Sequence, residues 1–173
     1  MNSKRLAPMH TSVPIDTPAG TFRAHYSDRG LAELNFPRSR GRESAQTKSP
    51  ALTPEIRHWH TLTTKAVKAT LNGKTPGELP PLDVSRGTEF QQRVWEELLW
   101  IPAGETRSYG EIAKSIRKPK AVRAVGGACG ANPIPLLIPC HRVLAANNQI
   151  GGFSGGLDWK RKLLATEHVP FCP

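Results

Sequence analysis

The sequence predicts an α/β protein in two parts, a small N-terminal α/β unit followed by a C-terminal helical unit built around a helix-turn-helix. Three observations carry this. Apolar residues alternate with polar ones through Phe22, Ala24 and Tyr26, then shift to helical spacing from Ile56 onward. A proline- and glycine-rich stretch divides residues 1–82 from 83–173, and beyond it two capping-box patterns open consecutive short helices.

The strand pattern covers residues 14–36, broken by the turn Asp28-Arg29-Gly30 and resumed by Leu31-Ala32-Glu33-Leu34-Asn35-Phe36, and predicts a hairpin. Over residues 37–50 the apolar periodicity gives way to Arg, Ser, Gly and Lys, the composition of a mobile loop. Thr53 as N-cap and Pro54 at the first helical position open a helix with Ile56, Trp59, Leu62, Ala66 and Ala69 on one face. Asn72-Gly73 closes it, and residues 75–81 read as the connection between the two units.

Thr88 and Gln91 form the first capping box, ahead of an apolar stripe of Phe90, Val94, Trp95, Leu98 and Leu99. Ser108 and Glu111 form the second, opening a helix with Ile112, Ala113 and Ile116. Arg117-Lys118-Pro119 breaks it, and a further helix begins near Lys120. Two short helices with a tight basic connection suggest a helix-turn-helix. The second helix, Ala121-Val122-Arg123-Ala124-Val125-Gly126-Gly127-Ala128, is built of small side chains with one long cation. Each helical glycine costs about 1 kcal/mol relative to alanine, a cost accepted where another surface must approach closely. That surface is either a neighbouring helix or something outside the protein.

The formal charge of +10 and a pI near 10.0 point to a polyanionic partner, nucleic acid first among them. Lys114, Arg117, Lys118, Lys120 and Arg123 form the densest cluster; Lys160-Arg161-Lys162 reads as the solvated face of a helix. Three cysteines, at 129, 140 and 172, have neither zinc-site nor disulfide-framework spacing and suit a reducing cytoplasm. No metal or cofactor is expected. The Gly151-Gly152-Phe153-Ser154-Gly155-Gly156 segment lacks the lysine of a phosphate-binding loop and reads as a folded turn. No secretory leader or membrane-spanning stretch is recognisable, so the expectation is a soluble intracellular protein.

The chemistry concentrates in Ile138-Pro139-Cys140-His141-Arg142-Val143, where a nucleophile adjoins a base. Cysteine attacks as thiolate and needs a nearby imidazole, cation or helix terminus to become one near neutral pH. Sequence neighbours point to opposite sides of a straight strand, so cooperation between Cys140 and His141 requires a bend, which Pro139 makes plausible. Taken alone, a Cys-His pair is more often a packed thiol beside an exposed histidine.

The wider series changes that balance. Arg86-Gly87-Thr88-Glu89-Phe90-Gln91, Gly104-Glu105-Thr106-Arg107-Ser108-Tyr109-Gly110-Glu111, Arg123-Ala124-Val125-Gly126, Ala131-Asn132-Pro133, the Cys140 segment, Phe153-Ser154-Gly155-Gly156 and Leu163-Leu164-Ala165-Thr166-Glu167 follow in order. Together they resemble the methylated-DNA-protein-cysteine methyltransferases, the O6-alkylguanine-DNA alkyltransferases. The resemblance covers about half the chain, the N-terminal part matching only as a hairpin and helix of suitable size.

The resemblance implies a ribonuclease-H-like N-terminal α/β domain without that activity, and a winged-helix-type C-terminal domain that carries the chemistry. It implies single-turnover, irreversible transfer of an alkyl group from O6-alkylguanine, and from O4-alkylthymine, in double-stranded DNA to Cys140. By the same likeness His141 is the base acting through water, Glu167 its orienting carboxylate, and Tyr109 the phenol that donates to guanine N3. Asn132 ties the turn after the recognition helix to the active-site segment. Ser154 bonds guanine O6, the backbone carbonyls of Cys140 and Val143 accept from the exocyclic amine, and Phe153 is an aromatic wall where some members have tyrosine. Arg123 replaces the flipped base, Ala124 and Gly126 bind DNA as small residues of a recognition helix set in the minor groove, and Lys120 is a further DNA-binding residue. The implied protein is a cytoplasmic, nucleoid-associated monomer, with cooperative binding along DNA left open. Cys129 reads as a packing residue and Cys172 as part of a loose terminus.

Two other functions compete. Alkyltransferase-like proteins bind such lesions without an acceptor cysteine, and the presence of Cys140 argues against them. A cysteine hydrolase would use the same pair but leaves the DNA-reading helix unexplained, and no oxyanion motif is recognisable.

Overall fold

The computed structural model describes residues 11–37 and 52–172; of the loop expected at 37–50, all but Pro37 lies outside the described residues. The chain opens with an antiparallel sheet of β1 (Thr11–Thr17), β2 (Gly20–Tyr26) and β3 (Leu31–Asn35), in that spatial order. The expected single hairpin is therefore one of two. β1 begins before residue 14, and prolines at 14 and 18 interrupt the alternation that would have marked it. Pro14 is tolerated because β1 is an edge strand, where a missing N–H need not break a ladder.

Phe22, Ala24 and Tyr26 project from β2 onto a face covered by α1 (Pro54–Leu71), which buries Trp59, Leu62, Ala66 and Val67. The Tyr26 hydroxyl donates to Thr63 Oγ1 at 2.9 Å and lies 3.0 Å from His60 Nδ1, so the ring is buried without an orphaned polar end. Thr53 Oγ1 caps α1 by accepting from the Ile56 amide, and Gly73 follows its end with φ of 69°. A Cβ on Gly73 would fall 2.4 Å from the Thr166 carbonyl oxygen, so this turn also packs against the C-terminal part of the chain.

The connecting segment is bonded to the sheet. Leu31 N–H donates to Pro81 O and Asp83 N–H to Leu31 O, each at 2.8 Å, and Ser27 Oγ donates to Asp83 Oδ2 at 2.6 Å. One hydrophobic core runs through both parts of the chain.

The remaining elements are α2 (Glu89–Leu98), β4 (Arg107–Ser108), α3 (Tyr109–Ser115), α4 (Val122–Gly130), β5 (Val143–Leu144) and α5 (Leu157–Thr166). Both capping boxes form: Thr88 with Gln91, and Ser108 with Glu111, each side chain bonding the other's backbone amide. The α2 stripe ends at Leu98; Leu99, expected within it, caps the helix and is 41% exposed. α4 starts at Val122 because the residues around Lys120 form a turn, with Ala121 N–H donating to Lys118 O at 2.8 Å. Trp95 Nε1 donates to Ala128 O at 2.8 Å, locking α4 onto α2. β4 pairs in parallel with β5, Arg107 opposite Val143 and Ser108 opposite Leu144, which brings the start of α3 beside the segment after Cys140. Among the described residues no helix is long and apolar enough to cross a membrane.

Candidate active site and nucleic-acid interface

Cys140 opens a single 3-10 turn, Cys140–Arg142, immediately after Pro139. This supplies the bend that cooperation between sequence neighbours requires. The preceding loop is tight: Ile138 N–H donates to Ile134 O at 2.9 Å, and Leu136 adopts φ of 73° while buried. A bulky residue in the left-handed region costs roughly 1–3 kcal/mol and persists only where its surroundings fix it. Asn132 is what fixes it. Its Oδ1 accepts from Ile134 N–H at 2.9 Å, and its Nδ2 donates to Ile138 O at 2.8 Å and faces Cys140 Sγ at 3.1 Å.

Glu167 follows α5 and is buried against the same turn. Its Oε1 lies 3.1 Å from His141 Nε2 and 2.8 Å from Arg142 Nη2, while Arg142 Nε also donates to both carboxylate oxygens. Arg142 Nη1 donates to Ile101 O at 2.6 Å, so this buried guanidinium is well partnered. Burial alone would raise the Glu167 pKa, but the bonds from His141 and Arg142 outweigh it and hold the carboxyl at about 2. An ionised carboxylate only accepts, so His141 carries its hydrogen on Nε2 and its lone pair on Nδ1. Nδ1 is buried with no hydrogen-bond partner among the described residues. Burial lowers the imidazole pKa despite Glu167, leaving His141 neutral at pH 7.

Burial also dominates at the nucleophile, pushing the Cys140 thiol up to about 11 against the opposing effects of Asn132 and Lys160. The resting group is therefore a thiol. Lys160 departs from its expected place on a solvated helix face. It is fully buried, with Nζ donating to Val143 O at 2.7 Å and Gly152 O at 3.2 Å. Burial brings its pKa down to about 8, so it remains mostly charged at neutral pH and favours a thiolate at Cys140.

Tyr109 is half-buried at the start of α3, its pKa raised to about 12, first by burial and then by the nearby thiols of Cys129 and Cys140. The 151–156 loop lies across it: a Cβ on Gly151 would fall 3.1 Å from the Tyr109 hydroxyl. The Phe153 and His141 rings stand nearly perpendicular, centroids 6.5 Å apart, while Ser154 is exposed and Val143 buried.

Residues 89–169 match the family model described as the 6-O-methylguanine DNA methyltransferase DNA-binding domain. The methylated-DNA–protein-cysteine methyltransferase of Mycobacterium tuberculosis is 56% identical over 100 residues, which is 56% of this chain and 61% of the relative. The chain thus matches about three fifths of that curated relative's length in sequence. The crystal structure of Mycobacterium tuberculosis O6-methylguanine methyltransferase superposes with a TM-score of 0.69 at 38% identity, covering 92% of this chain and 93% of that one. The chain belongs to the O6-methylguanine DNA methyltransferase family. A structure of the Mycobacterium tuberculosis protein in complex with DNA gives a TM-score of 0.69 at 40% identity, covering 91% and 93% of the two chains.

In this methyltransferase-family chain α4 has two faces. Val125, Ala128 and Cys129 point inward; Val122, Arg123, Ala124 and Gly127 are exposed, and Gly126 is half-buried. A Cβ on Gly127 would meet nothing within 4 Å, and one on Gly126 only the Tyr109 ring edge at 4.0 Å. Internal packing therefore does not demand the glycine pair. Beside this face lies an open hollow of about 530 Å³ lined by Lys118, Pro119, Lys120 and Ala121. It is formed by the turn between α3 and α4, and Cys140 does not line it.

Arg142 and Lys160 are the site residues that sequence reasoning missed. Lys160 sat in a run of cations that reads as surface, Arg142 stood in the Cys140 segment with no role of its own, and no strand or helix period marked either as buried. Cys172, expected in a loose end, exchanges backbone bonds with Asn148 and Ile150 at 2.8 and 3.0 Å.

Proposed function

We propose that this chain repairs DNA directly, transferring an alkyl group from O6-alkylguanine, and from O4-alkylthymine, in duplex DNA to Cys140, once per molecule. The ribonuclease-H-like and winged-helix descriptions belong to this reading as well. The observation that carries it is the clamped Cys140 turn with His141 and Glu167 behind it. Support also comes from the names of the Mycobacterium tuberculosis relatives and from the DNA complex of one of them.

The proton path follows from the tautomer. His141 Nδ1 takes the thiol proton through one water, while Glu167 stabilises the imidazolium. Sγ attacks the alkyl carbon as the carbon–oxygen bond breaks, and the electron pair passes to the guanine. Tyr109 donates a proton to guanine N3, so the leaving group departs neutral; Ser154 bonds O6, and the carbonyls of Cys140 and Val143 hold the exocyclic amine. The product is a stable thioether, which is why each molecule acts once. Phe153 walls the base. Asn132 holds the nucleophile's turn.

A base in the stack hides its O6 substituent, and extruding it costs a few kcal/mol. The exposed face of α4 fits the minor groove, with Arg123 filling the vacated stack and Ala124, Gly126 and Gly127 allowing close approach. Lys120 contacts phosphate. The protein acts as a monomer in the cytoplasm.

The test is intact-protein mass spectrometry after mixing with duplex DNA containing one O6-methylguanine, with peptide mapping. One methyl on Cys140 and no more is expected, and Cys140→Ala should bind the DNA and gain nothing. Tight lesion binding by the unaltered protein without any mass change would instead identify a damage-sensing protein.

A further inference from the structure

The loop that carries Ser154 has four glycines in six residues, two of them in the left-handed region, Gly151 at φ 63° and Gly156 at φ 91°. Such a segment has little stiffness of its own. Its support comes from the N-terminal sheet. Phe36, directly after β3, places its ring 5.7 Å from Phe153 at an interplanar angle of 74°, and Phe153 in turn meets His141 edge-on. Phe36 also covers Gly155 so closely that a Cβ there would fall 2.5 Å from its Cε2 and 2.8 Å from Phe153 Cε1. The ring is held from behind by Trp159 at 5.0 Å and Phe22 at 5.6 Å. The Leu34 amide donates to Pro133 O at 2.9 Å, tying β3 to the residue after Asn132.

We propose that Phe36 is a positioning residue for the base-holding loop: by filling the space over Gly155 and buttressing Phe153, it fixes Ser154 where guanine O6 must arrive. The inference rests on the proposed alkyl-transfer reading for its functional consequence, and on the ring contacts alone for its structural one. The loop is thereby set by a side chain from the opposite end of the sequence. Phe36 touches no reacting atom.

Two readouts separate these. Hydrogen exchange of the 151–156 amides requires no activity; in Phe36→Ala it should accelerate about ten-fold, with exchange in α2 unchanged. Alkyl transfer should fall about ten-fold in second-order rate constant for free O6-benzylguanine and for duplex O6-methylguanine alike, because both use the loop. Phe36→Tyr, which keeps the ring, should restore both. Gly155→Ala should also slow transfer, and adding it to Phe36→Ala should cost less than it does alone, since part of the clash is gone. If Phe36→Ala fails to fold cooperatively, Phe36→Leu takes its place. Unchanged exchange in a folded variant, or strictly additive losses for the pair, would overturn the proposal. If the unaltered protein transfers no alkyl group from either substrate, the repair reading fails while the exchange result still decides the role of Phe36.

Discussion

Asn132 Nδ2 stands 3.1 Å from Cys140 Sγ and 2.8 Å from Ile138 O, while its Oδ1 receives the Ile134 amide at 2.9 Å. One buried amide therefore closes the strained loop around Leu136 and supplies a donor to the nucleophile. Asn132→Ala should leave the Ile134 N–H unpaired, at about 1–3 kcal/mol in thermal or urea unfolding, and take one of its two donors from Ile138 C=O, which keeps the Cys140 amide. Asn132→Asp keeps one acceptor but sets a negative charge beside the sulfur. It should raise the thiol pKa further and slow alkyl transfer more than it lowers stability.

Glu167 serves stability and chemistry together. Glu167→Gln would keep an acceptor at the position shared by His141 Nε2 and Arg142 Nη2 but remove the negative charge that stabilises the imidazolium formed when the thiol proton is taken up. Alkyl transfer should fall about 10²–10⁴-fold, read from single-turnover rates with free O6-benzylguanine. The pH dependence has a definite sign. The folded pKa of about 2 lies below the ordinary 4.5, so the stability contributed by ionised Glu167 is present above pH 4.5 and is lost as pH falls toward 2. In the variant, that part of the acid-unfolding limb should disappear.

Much of this arrangement is legible in the sequence, for physical reasons that differ by residue. Thr88 with Gln91 and Ser108 with Glu111 are local devices, complete within four residues, and both form as the spacing requires. Pro139 announces the bend at Cys140. The burial of Lys160 and Arg142 is not local: each depends on carbonyls and a carboxylate supplied from elsewhere, Gly152 and Val143 for one, Ile101 and Glu167 for the other. Nor could the sequence place Phe36 over Gly155, because the pairing joins the residue after strand β3 to a loop more than a hundred residues later. The start of β1 is hidden for the opposite reason, Pro14 within it and Pro18 just after it masking an alternation that the sheet tolerates at an edge.

Lys160 gives a pH signature. Its ammonium sits between Val143 O and Gly152 O and opposes the burial that keeps Cys140 protonated. Lys160→Met should lower the transfer rate at pH 7 by about ten-fold for each unit the thiol pKa rises. Because the cation titrates at about 8, the unaltered protein's rate profile should bend near that pH. The bend should be missing in the variant. An unchanged profile would mean that Lys160 only bonds the two carbonyls.

Arg123 separates base capture from chemistry. It is exposed on α4, so removing it should not alter how Cys140, His141 and Glu167 act on a substrate that needs no extrusion. Duplex DNA is different: extrusion costs a few kcal/mol, and a side chain that fills the vacated stack recovers part of that cost only there. Arg123→Ala should therefore slow repair of duplex O6-methylguanine by about 10²-fold, corresponding to roughly 2–3 kcal/mol, while changing the rate with free O6-benzylguanine by less than about two-fold. Lys120→Ala should behave otherwise, weakening duplex binding irrespective of the lesion and reducing the salt dependence by about one phosphate contact. Equal losses on both substrates for Arg123→Ala would place the arginine in the architecture of the site instead of in base extrusion.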